Sequence, residues 1–272
     1  MAADDRPFAS AVDRRQDCGP FDIIGDVHGC AAELVSLLET LGYRVRWPSA
    51  RGGEVCVTPP AGRKAVFVGD LVDRGPRSPD VLRLVMHMHR RGAAYAVMGN
   101  HDLRLLEWLV RPDMVPRHGL EETVRQLAHG CDDILPRLRA FLEALPSHHV
   151  FDGGRLVVAH AGILEPMIGR DTYEVDRFTL LGRSTAALDP LPRSESEAWP
   201  ANYRGTAAVV HGHRARGRTE WCNNSLCIDT GCVYGGKLTA LRWPERDLVD
   251  VPALRAWHAP PPHLCFIPPL NQ

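Results

Sequence analysis

The fold is decided by the segment Phe21-Asp22-Ile23-Ile24-Gly25-Asp26-Val27-His28-Gly29. Its apolar half predicts a buried strand, which ends in a glycine followed at once by an aspartate and a histidine. Residues 31–41 then place four leucines on one helical face. The segment therefore begins a strand-loop-helix unit that carries polar side chains in its loop.

The same unit occurs twice more along the chain. A strand at residues 65–68 leads into a helix after Pro79, and a strand at residues 94–98 leads into a helix near residues 103–109. Further strands are predicted at residues 156–159, 207–210, 226–228 and 237–242. The alternation of strands and helices predicts a layered α/β fold. The helical pattern of residues 111–146 predicts a cap beside the site.

Length and composition indicate one domain. The chain has 272 residues, 44% of them apolar, and a formal net charge of -1, which is typical of a single globular domain. We place its core at about residues 17–245, with a peripheral N-terminal segment, an exposed loop at residues 188–200 and a Pro-rich tail at residues 260–269. The near-neutral charge gives no general attraction to nucleic acid, so stable binding of duplexes is not expected.

The start of the chain is polar, and no apolar run is long enough to span a bilayer. A cytoplasmic location without a membrane partner is therefore expected. Eight cysteines without a Cys-x-x-Cys pair indicate reduced thiols. The run Cys222, Cys227 and Cys232 admits a zinc cluster as an alternative, although its spacing passes through an apolar strand.

Chemistry-bearing side chains follow five of the predicted strands. The loops are Gly25-Asp26-Val27-His28-Gly29, Gly69-Asp70-Leu71-Val72-Asp73-Arg74-Gly75, Gly99-Asn100-His101-Asp102, His160-Ala161-Gly162 and His211-Gly212-His213. Because ligands of open α/β sheets bind outside the carboxyl ends of the strands, these loops are expected to meet. Glycines are expected beside them, where tight loops need positive φ or close backbone approach.

The oxygen and imidazole donors of these loops suit manganese, iron, nickel, cobalt or zinc. Their number exceeds what one ion needs. The set therefore predicts two divalent ions sharing a carboxylate, an arrangement used for displacement at phosphorus. We expect manganese as the metal and a phosphate ester as the substrate.

These blocks resemble the calcineurin-like metallophosphoesterases of the phosphoprotein phosphatase type, over about residues 20–245. The resemblance implies a layered β-sandwich flanked by helices. It also implies roles for individual residues. A first metal would be held by Asp26, His28 and Asp70, and a second by Asp70, Asn100, His160 and His213. His101, oriented by Asp73, would be the general acid, and Arg74 would bind a phosphate oxygen.

Within that family the chain is most similar to the phosphatase module of bacterial polynucleotide kinase-phosphatases, and less closely to small bacterial diadenosine-tetraphosphate hydrolases. The likeness includes residues 157–163 and residues 228–241. It implies that Asp229 is an active-site residue that positions substrate. It also implies nucleotide or RNA-end phosphates as substrates, including a 2′,3′-cyclic phosphate. Arg214 stands where that subfamily has threonine, and the chain has no kinase-type phosphate loop.

Three other readings stay open. The substrate is alternatively a phosphoserine or phosphothreonine protein or a bis(5′-nucleosyl)-tetraphosphate, and the remote alternative is an inactive binding module. His211 is as well explained by strand-end packing as by a site role. We interpret the remaining polar residues as structural: Asp102 as a helix-start residue, Arg214, Arg216 and Arg218 as a solvated turn, and His148 and His149 as packing residues.

Overall fold

Two stacked β-sheets form the centre of the molecule. The computed structural model describes residues 12–48, 54–129, 131, 134–182, 199–262 and 264. Its strands are β1 (Val12–Arg14), β2 (Phe21–Ile24), β3 (Arg44–Arg46), β4 (Cys56–Thr58), β5 (Lys64–Phe67), β6 (Ala94–Ala96), β7 (His148–Phe151), β8 (Leu156–Ala159), β9 (Ala208–His211), β10 (Trp221–Cys222), β11 (Ser225–Cys227), β12 (Lys237–Trp243) and β13 (Leu248–Pro252). The helices are α1 (Ala31–Thr40), α2 (Ser78–Arg90), α3 (Asn100–Val110), α4 (Leu120–Leu127), α5 (Leu135–Glu143), α6 (Tyr173–Leu181) and α7 (Trp199–Asn202).

One sheet has five strands in the order β13-β12-β2-β5-β6, and the other has six in the order β1-β7-β8-β9-β11-β10. Strands β2, β5 and β6 run parallel to one another, as do β8, β9 and β11. Each sheet therefore sends three consecutive parallel strands toward one edge. A separate two-stranded ribbon consists of β3 and β4.

Alternating side chains explain the layers, because successive residues of a strand point to opposite faces. Phe21 and Ile23 of β2 face a buried layer that also holds Phe151, Val158 and Val210 of the six-stranded sheet. The rings of Phe21 and Phe151 are 4.6 Å apart between centroids. The alternate residues of the same strands face helices. The strands are thus apolar on both faces, which explains their nearly continuous apolar runs in the sequence.

Helices cover both outer faces. Helices α1 to α5 share one buried apolar cluster with the five-stranded sheet, and α4 and α5 pack against α2 and α3. Val175 and Phe178 of α6 and Trp199 of α7 pack on the six-stranded sheet. The predicted layered α/β sandwich is confirmed, and the helical character of residues 111–146 appears as α4 and α5. None of the helices in these described ranges is both long and apolar enough to cross a bilayer.

Edge strands β1 and β13 lie outside residues 17–245, the core expected from the sequence. β1 pairs with β7 and β13 pairs with β12. Most of the loop expected at residues 188–200, most of the tail at residues 260–269, and residues 1–11 lie outside the described residues.

Candidate metal centre

Six strand ends, three from each sheet, meet at one edge of the sandwich. Strands β2, β5 and β6 lead into the loops of Asp26, Asp70 and Asn100, while β8, β9 and β11 lead into those of His160, His213 and Asp229. Hydrogen bonds join the two halves, since the backbone N–H of His213 donates to Asp26 Oδ2 at 3.0 Å. The five loops predicted from the sequence thus come together, and the loop after β11 joins them.

The loops hold strained backbone conformations. Five of the nine non-glycine residues with positive φ in the described chain belong to this site: His28, Asp70, Asp73, Arg74 and His213. A left-handed conformation costs an L-residue about 1 to 2 kcal/mol. Such strain persists only where surrounding contacts hold it, and it concentrates at functional sites.

Two glycines show how tightly the loops are packed. A Cβ at Gly99 would stand 2.4 Å from Asp70 Oδ1, and a Cβ at Gly212 would stand 1.7 Å from Asp26 Oδ1. Neither carboxylate could then keep its place. The expectation that close backbone approach requires glycine beside these donors is confirmed at both positions.

A compact group of donors lies between the sheets. His160 Nε2 is 3.1 Å from His213 Nδ1, and Asn100 Oδ1 is 3.0 Å from the first nitrogen and 2.9 Å from the second. Ligands bound at about 2.1 Å and at right angles around one ion would be about 3.0 Å apart. The three atoms therefore already have the spacing of ligands around a single ion.

Asp70 is shared between this group and a second one. Its Oδ1 is 3.5 Å from His160 Nε2, and its Oδ2 is 3.4 Å from His28 Nε2. Donor atoms of Asp70, His160 and His213 lie within 4.8 Å of one another, as do those of His28, Asp70 and His101. A carboxylate with one oxygen toward each group has the geometry needed to bridge two ions.

Asp26 completes the acidic part of the site. Its Oδ1 is buried and has no hydrogen-bond partner among the described residues. Burial, followed by the nearby carboxylates of Asp229 and Asp70, raises its pKa well above the usual value. A buried carboxylate oxygen without a partner is costly unless a cation or a proton is near. The donor set, including this oxygen, fits a pair of divalent metal ions.

His101 and Asp73 form a buried pair. His101 Nδ1 is 2.6 Å from Asp73 Oδ2, and the hydroxyl of Thr123 donates to the other carboxylate oxygen at 2.7 Å. Burial lowers the pKa of His101 to about 3, whereas burial raises that of Asp73 to about 6. Because Asp73 accepts from Nδ1, the ring orientation and tautomer of His101 are set, and its Nε2 faces the site.

Thr123 of α4 has no signal in the sequence that marks it as a site residue. It lies in the segment interpreted only as a cap, 50 positions from Asp73. Its hydroxyl also accepts the backbone N–H of Asp73 at 3.0 Å. The cap therefore supports the site directly as well as lying beside it.

Arg74 spans the entrance between two histidines. Its Nη1 donates to His28 Nε2 at 2.6 Å and its Nη2 to His101 Nε2 at 2.7 Å. One imidazole lone pair cannot serve both a guanidinium and a metal ion. Coordination of a metal by His28 would therefore require Nη1 to move away.

Tyr234 lies beside this guanidinium. The Arg74 Cζ atom is 5.6 Å from the centre of its ring. The ring also meets that of His258 edge to face, with centroids 6.0 Å apart. Tyr234 belongs to the stretch of residues 228–241 that carries the family likeness. The sequence does not single it out, because a tyrosine beside a strand gives no signal of which residue its ring will contact.

Asp229 is buried, and its Oδ1 accepts the backbone N–H of Gly231 at 3.0 Å. Burial raises its pKa to about 7. Its charge contributes to the raised pKa of Asp26. Asp229 therefore interacts electrostatically with the carboxylates of Asp26 and Asp70.

The polar residues interpreted as structural, and His211, whose role the sequence leaves open, make the following contacts. Asp102 lies in the first turn of α3, where its Oδ2 accepts from the backbone N–H of Gly99 and its Oδ1 from that of Leu71. His148 Nε2 accepts the backbone N–H of Gly169. His211 packs against Trp199, with ring centroids 5.0 Å apart. Exposed side chains form the basic turn: Arg214, Arg216 and Arg218.

The three cysteines considered as a zinc cluster separate in the structure. Cys222 lies in β10, and Cys227 Sγ contacts the backbone oxygens of Gly212 and Arg214. Cys232 instead lies near Cys30. The spacing of the run does not bring its members together because β11 separates the first from the last.

The profile of the calcineurin-like phosphoesterase family matches residues 19–251. The chain belongs to the calcineurin-like phosphoesterase family. The resemblance inferred from the sequence motifs is confirmed, and the chain is a hydrolytic phosphoesterase. The matched region includes all six strand ends that form the centre.

Curated relatives cover most of the chain. The asymmetrical bis(5′-nucleosyl)-tetraphosphatase PrpE of Halalkalibacterium halodurans is 40% identical over 237 residues, which are 86% of this chain and 94% of the relative. The PrpE protein of Anoxybacillus flavithermus is 39% identical with the same coverage of both chains.

Solved structures show the same fold. A crystal structure provisionally assigned as a diadenosine tetraphosphatase has a TM-score of 0.63 and 28% identity, and the match covers 90% of this chain and 99% of that one. A serine/threonine phosphatase from Saccharomyces cerevisiae has a TM-score of 0.55 and 16% identity, with 90% and 84% covered. At that identity the second match concerns the fold alone.

Proposed function

We propose that the chain hydrolyses bis(5′-nucleosyl)-tetraphosphates asymmetrically, into a nucleoside triphosphate and a monophosphate. Curated relatives with that name match 86% of the chain. The observation that carries the proposal is the aromatic ring of Tyr234 beside the Arg74 guanidinium. A phosphate-binding group next to an aromatic face suits a substrate in which a nucleobase accompanies the phosphates.

Two divalent ions would be held by the side chains that converge at this site. We propose manganese as the metal, because imidazoles favour borderline ions over magnesium. The first ion would have Asp26, His28 and Asp70 as ligands. The second would have Asp70, Asn100, His160 and His213. When bound, the ions would supply an activated water and neutralise charge on the phosphoryl oxygens.

His101 would protonate the leaving oxygen. Its Nδ1 is held by Asp73 and its Nε2 faces the site, so a proton on Nε2 is directed toward the substrate. Asp73 stabilises the charged ring, and Thr123 holds Asp73 in place. A nucleoside triphosphate leaves as a weak base, whereas an alkoxide needs this proton far more.

Arg74 would bind a phosphate oxygen of the substrate. Its guanidinium offers two N–H groups in one plane, a geometry that matches two phosphate oxygens. Asp229 would act beside it by orienting the substrate, since its carboxyl lies buried next to Asp26 and within reach of the charge of Arg74.

The other substrate classes remain predictions. Hydrolysis of 2′,3′-cyclic phosphates or RNA-end phosphates would use the same residues. The relatives are instead named for bis(5′-nucleosyl)-tetraphosphates. A phosphoprotein substrate would lose the benefit of the aromatic ring. An inactive binding module is disfavoured because the donor groups, His101, Asp73 and Arg74 are all present in one site.

The test compares kcat/KM under Mn²⁺ for diadenosine tetraphosphate, a 2′,3′-cyclic nucleotide and a phosphoserine peptide. We expect the tetraphosphate to exceed both by about tenfold or more, which is about 1.4 kcal/mol. Tyr234→Leu should lower kcat/KM on the tetraphosphate by about tenfold or more, since base stacking contributes about 1 to 3 kcal/mol.

Tyr234→Phe is the matched control, because it keeps the aromatic face. A chromogenic phosphomonoester without a base should be hydrolysed equally by all three proteins. If the phosphopeptide is the best substrate, or if Tyr234→Leu affects both substrates alike, the nucleotide assignment is wrong.

A further inference from the structure

A third group of metal-type donors lies in the core at the start of α1. It consists of Cys30, Glu33 and Cys232, all buried, with one donor atom of each within 4.8 Å of the other two. Cys30 immediately precedes α1 and Glu33 lies in its first turn. Cys232 lies in the loop between β11 and β12.

Glu33 is an unusual residue for this position, because an acidic side chain is rarely buried without a partner. Its Oε1 accepts the backbone N–H of Leu254 and the indole N–H of Trp257, both at 3.1 Å. Its Oε2 is buried and has no hydrogen-bond partner among the described residues. Two N–H donors therefore hold one oxygen of the carboxylate, while the other oxygen has no hydrogen bond. Burying such an oxygen without a partner is costly in a protein interior.

A cation bound by the two sulfurs would compensate the charge of this carboxylate. Thiols are weak hydrogen-bond donors, and Cys30 Sγ already lies 3.8 Å from the backbone oxygen of His28. Thiolate sulfur together with carboxylate oxygen is a donor set that Zn²⁺ accepts, and a zinc ion with three protein ligands completes its coordination with water. Neither sulfur belongs to the catalytic donor groups.

We propose that Cys30, Glu33 and Cys232 form a third metal site, distinct from the catalytic pair, which binds Zn²⁺ or a similarly soft divalent ion. On binding, the ion forms two metal–sulfur bonds and one metal–oxygen bond, and the two thiol protons leave to solvent. The ion would tie the start of α1 to the loop that follows Asp229. Because His28 precedes Cys30 by two residues, the bound ion would fix the position of the loop that carries His28.

Cobalt distinguishes this site from the catalytic pair. Thiolate ligands give Co²⁺ a sulfur-to-metal charge-transfer absorption in the near ultraviolet, and the oxygen and nitrogen ligands of the catalytic pair do not. The full-length protein is stripped of metal, kept reduced with a phosphine, and titrated with Co²⁺. We expect a charge-transfer band that saturates at one equivalent, within a total of three bound ions.

Variants assign the band to its ligands. Cys232→Ser and Cys30→Ser should each abolish the band and leave two bound ions. Glu33→Gln should weaken the affinity of the band-forming ion by about 100-fold or more, since loss of even an outer contact costs 10- to 100-fold. Cys227→Ser is the matched control, because it alters a buried thiol outside the group and should keep the band.

The titration of the wild-type protein tests the proposal even if a variant fails to fold. Absence of the band, a total of two bound ions, or an unchanged band in Cys232→Ser overturns it. A Cys30–Cys232 disulfide, detected by mass after alkylation of the protein without reductant, would also overturn it. None of these results depends on which phosphate ester the enzyme hydrolyses.

Discussion

Two pairs of buried histidines differ in what their ring nitrogens meet. His28 and His160 each place Nδ1 on a backbone oxygen, that of Val72 at 2.8 Å and that of Val68 at 3.0 Å. A carbonyl oxygen only accepts, so Nδ1 carries the hydrogen and Nε2 keeps its lone pair in the neutral ring. Both Nε2 atoms face Asp70.

The second pair lies inside strand β7. His148 Nε2 accepts the N–H of Gly169 at 2.9 Å, and its Nδ1 lies 3.2 Å from the hydroxyl of Ser147. His149 Nε2 lies 3.2 Å from the backbone oxygen of Ala96. These polar contacts are with neighbouring strands and loops.

The different contacts of the ring nitrogens indicate what makes a buried histidine available to a metal. Burial alone does not, because all four are buried. For His28 and His160 the distinguishing feature is a backbone contact at Nδ1, which fixes the tautomer and directs Nε2 toward other donors. His213 instead directs its Nδ1 toward Asn100 and His160. Position in the fold matters as well. The loops that follow parallel strands converge at one edge of the sheet, whereas residues inside an antiparallel strand pair do not.

The largest expected effect comes from removing metal. Chelation should lower phosphoesterase activity by about 10³-fold or more, because bound ions contribute several kcal/mol to stabilising the transition state. Added Mn²⁺ should restore activity better than Mg²⁺, which prefers oxygen ligands. The measurement is the rate on a chromogenic phosphomonoester before and after restoration. Full activity in excess chelator would contradict the two-metal site.

His101 tests the comparison from inside the site, since both of its ring nitrogens contact other side chains. His101→Ala should lower kcat by about 10²- to 10⁴-fold on esters with basic leaving groups, the range of a lost general acid. The loss should shrink for a nitrophenyl ester and for a dinucleoside tetraphosphate. Manganese content, measured in parallel, should not change.

An equal loss of kcat on substrates with good and poor leaving groups would make His101 a ligand or a structural residue. Reduced manganese content in the same variant would identify which of the two. Only a loss of manganese would place His101 with the metal-facing histidines.

Arg74 should give a smaller effect. Arg74→Lys keeps the charge but loses the planar pair of N–H groups. We expect kcat/KM to fall by about 10- to 100-fold, because a hydrogen bond to a charged group contributes about 1.5 to 3 kcal/mol. Inhibition by inorganic phosphate should weaken in parallel, and circular dichroism should be unchanged. Unchanged kinetics would remove Arg74 from the site.

The sequence was sufficient for the main features of the fold and for the residues that meet at the centre. Glycine followed by Asp, Asn or His after an apolar strand is visible without coordinates, and the carboxyl ends of parallel strands converge by topology. Strand β7 was missed because His148 and His149 interrupt its apolar pattern. The edge strands β1 and β13 were missed because neither has a continuous apolar run.

Long-range contacts of residues outside these strand-end loops could not be predicted. Thr123 holds Asp73 from 50 residues away, and Cys232 meets Cys30 and Glu33 from about 200 residues away. The regular spacing admitted a cluster of Cys222, Cys227 and Cys232 only as an alternative, and the loop after β11 instead brings Cys232 to the start of α1. Such partners depend on how helices and loops pack on the sheets, and local patterns do not encode that.

The smallest expected effect concerns a histidine of the second pair. Burial lowers the pKa of His148 to about 4, and Asp171 opposes the shift in part. Between an unfolded pKa of about 6.5 and that value, the unfolded chain binds more protons than the folded one. Stability therefore rises with pH across this window. Acidification from pH 7.5 to pH 5 should cost the protein about 2 kcal/mol through His148.

His148→Gln isolates this contribution, because glutamine does not titrate and its carbonyl oxygen can accept the N–H of Gly169. Urea unfolding of both proteins at the two pH values, in chelator so that metal release does not contribute, gives the free energies of unfolding. We expect the wild type to lose about 2 kcal/mol more than the variant between pH 7.5 and pH 5. The other buried histidines titrate in both proteins and cancel in the difference. Equal losses would mean that His148 is protonated at no cost in the fold, and the separation of packing histidines from metal-facing ones would then fail at this residue.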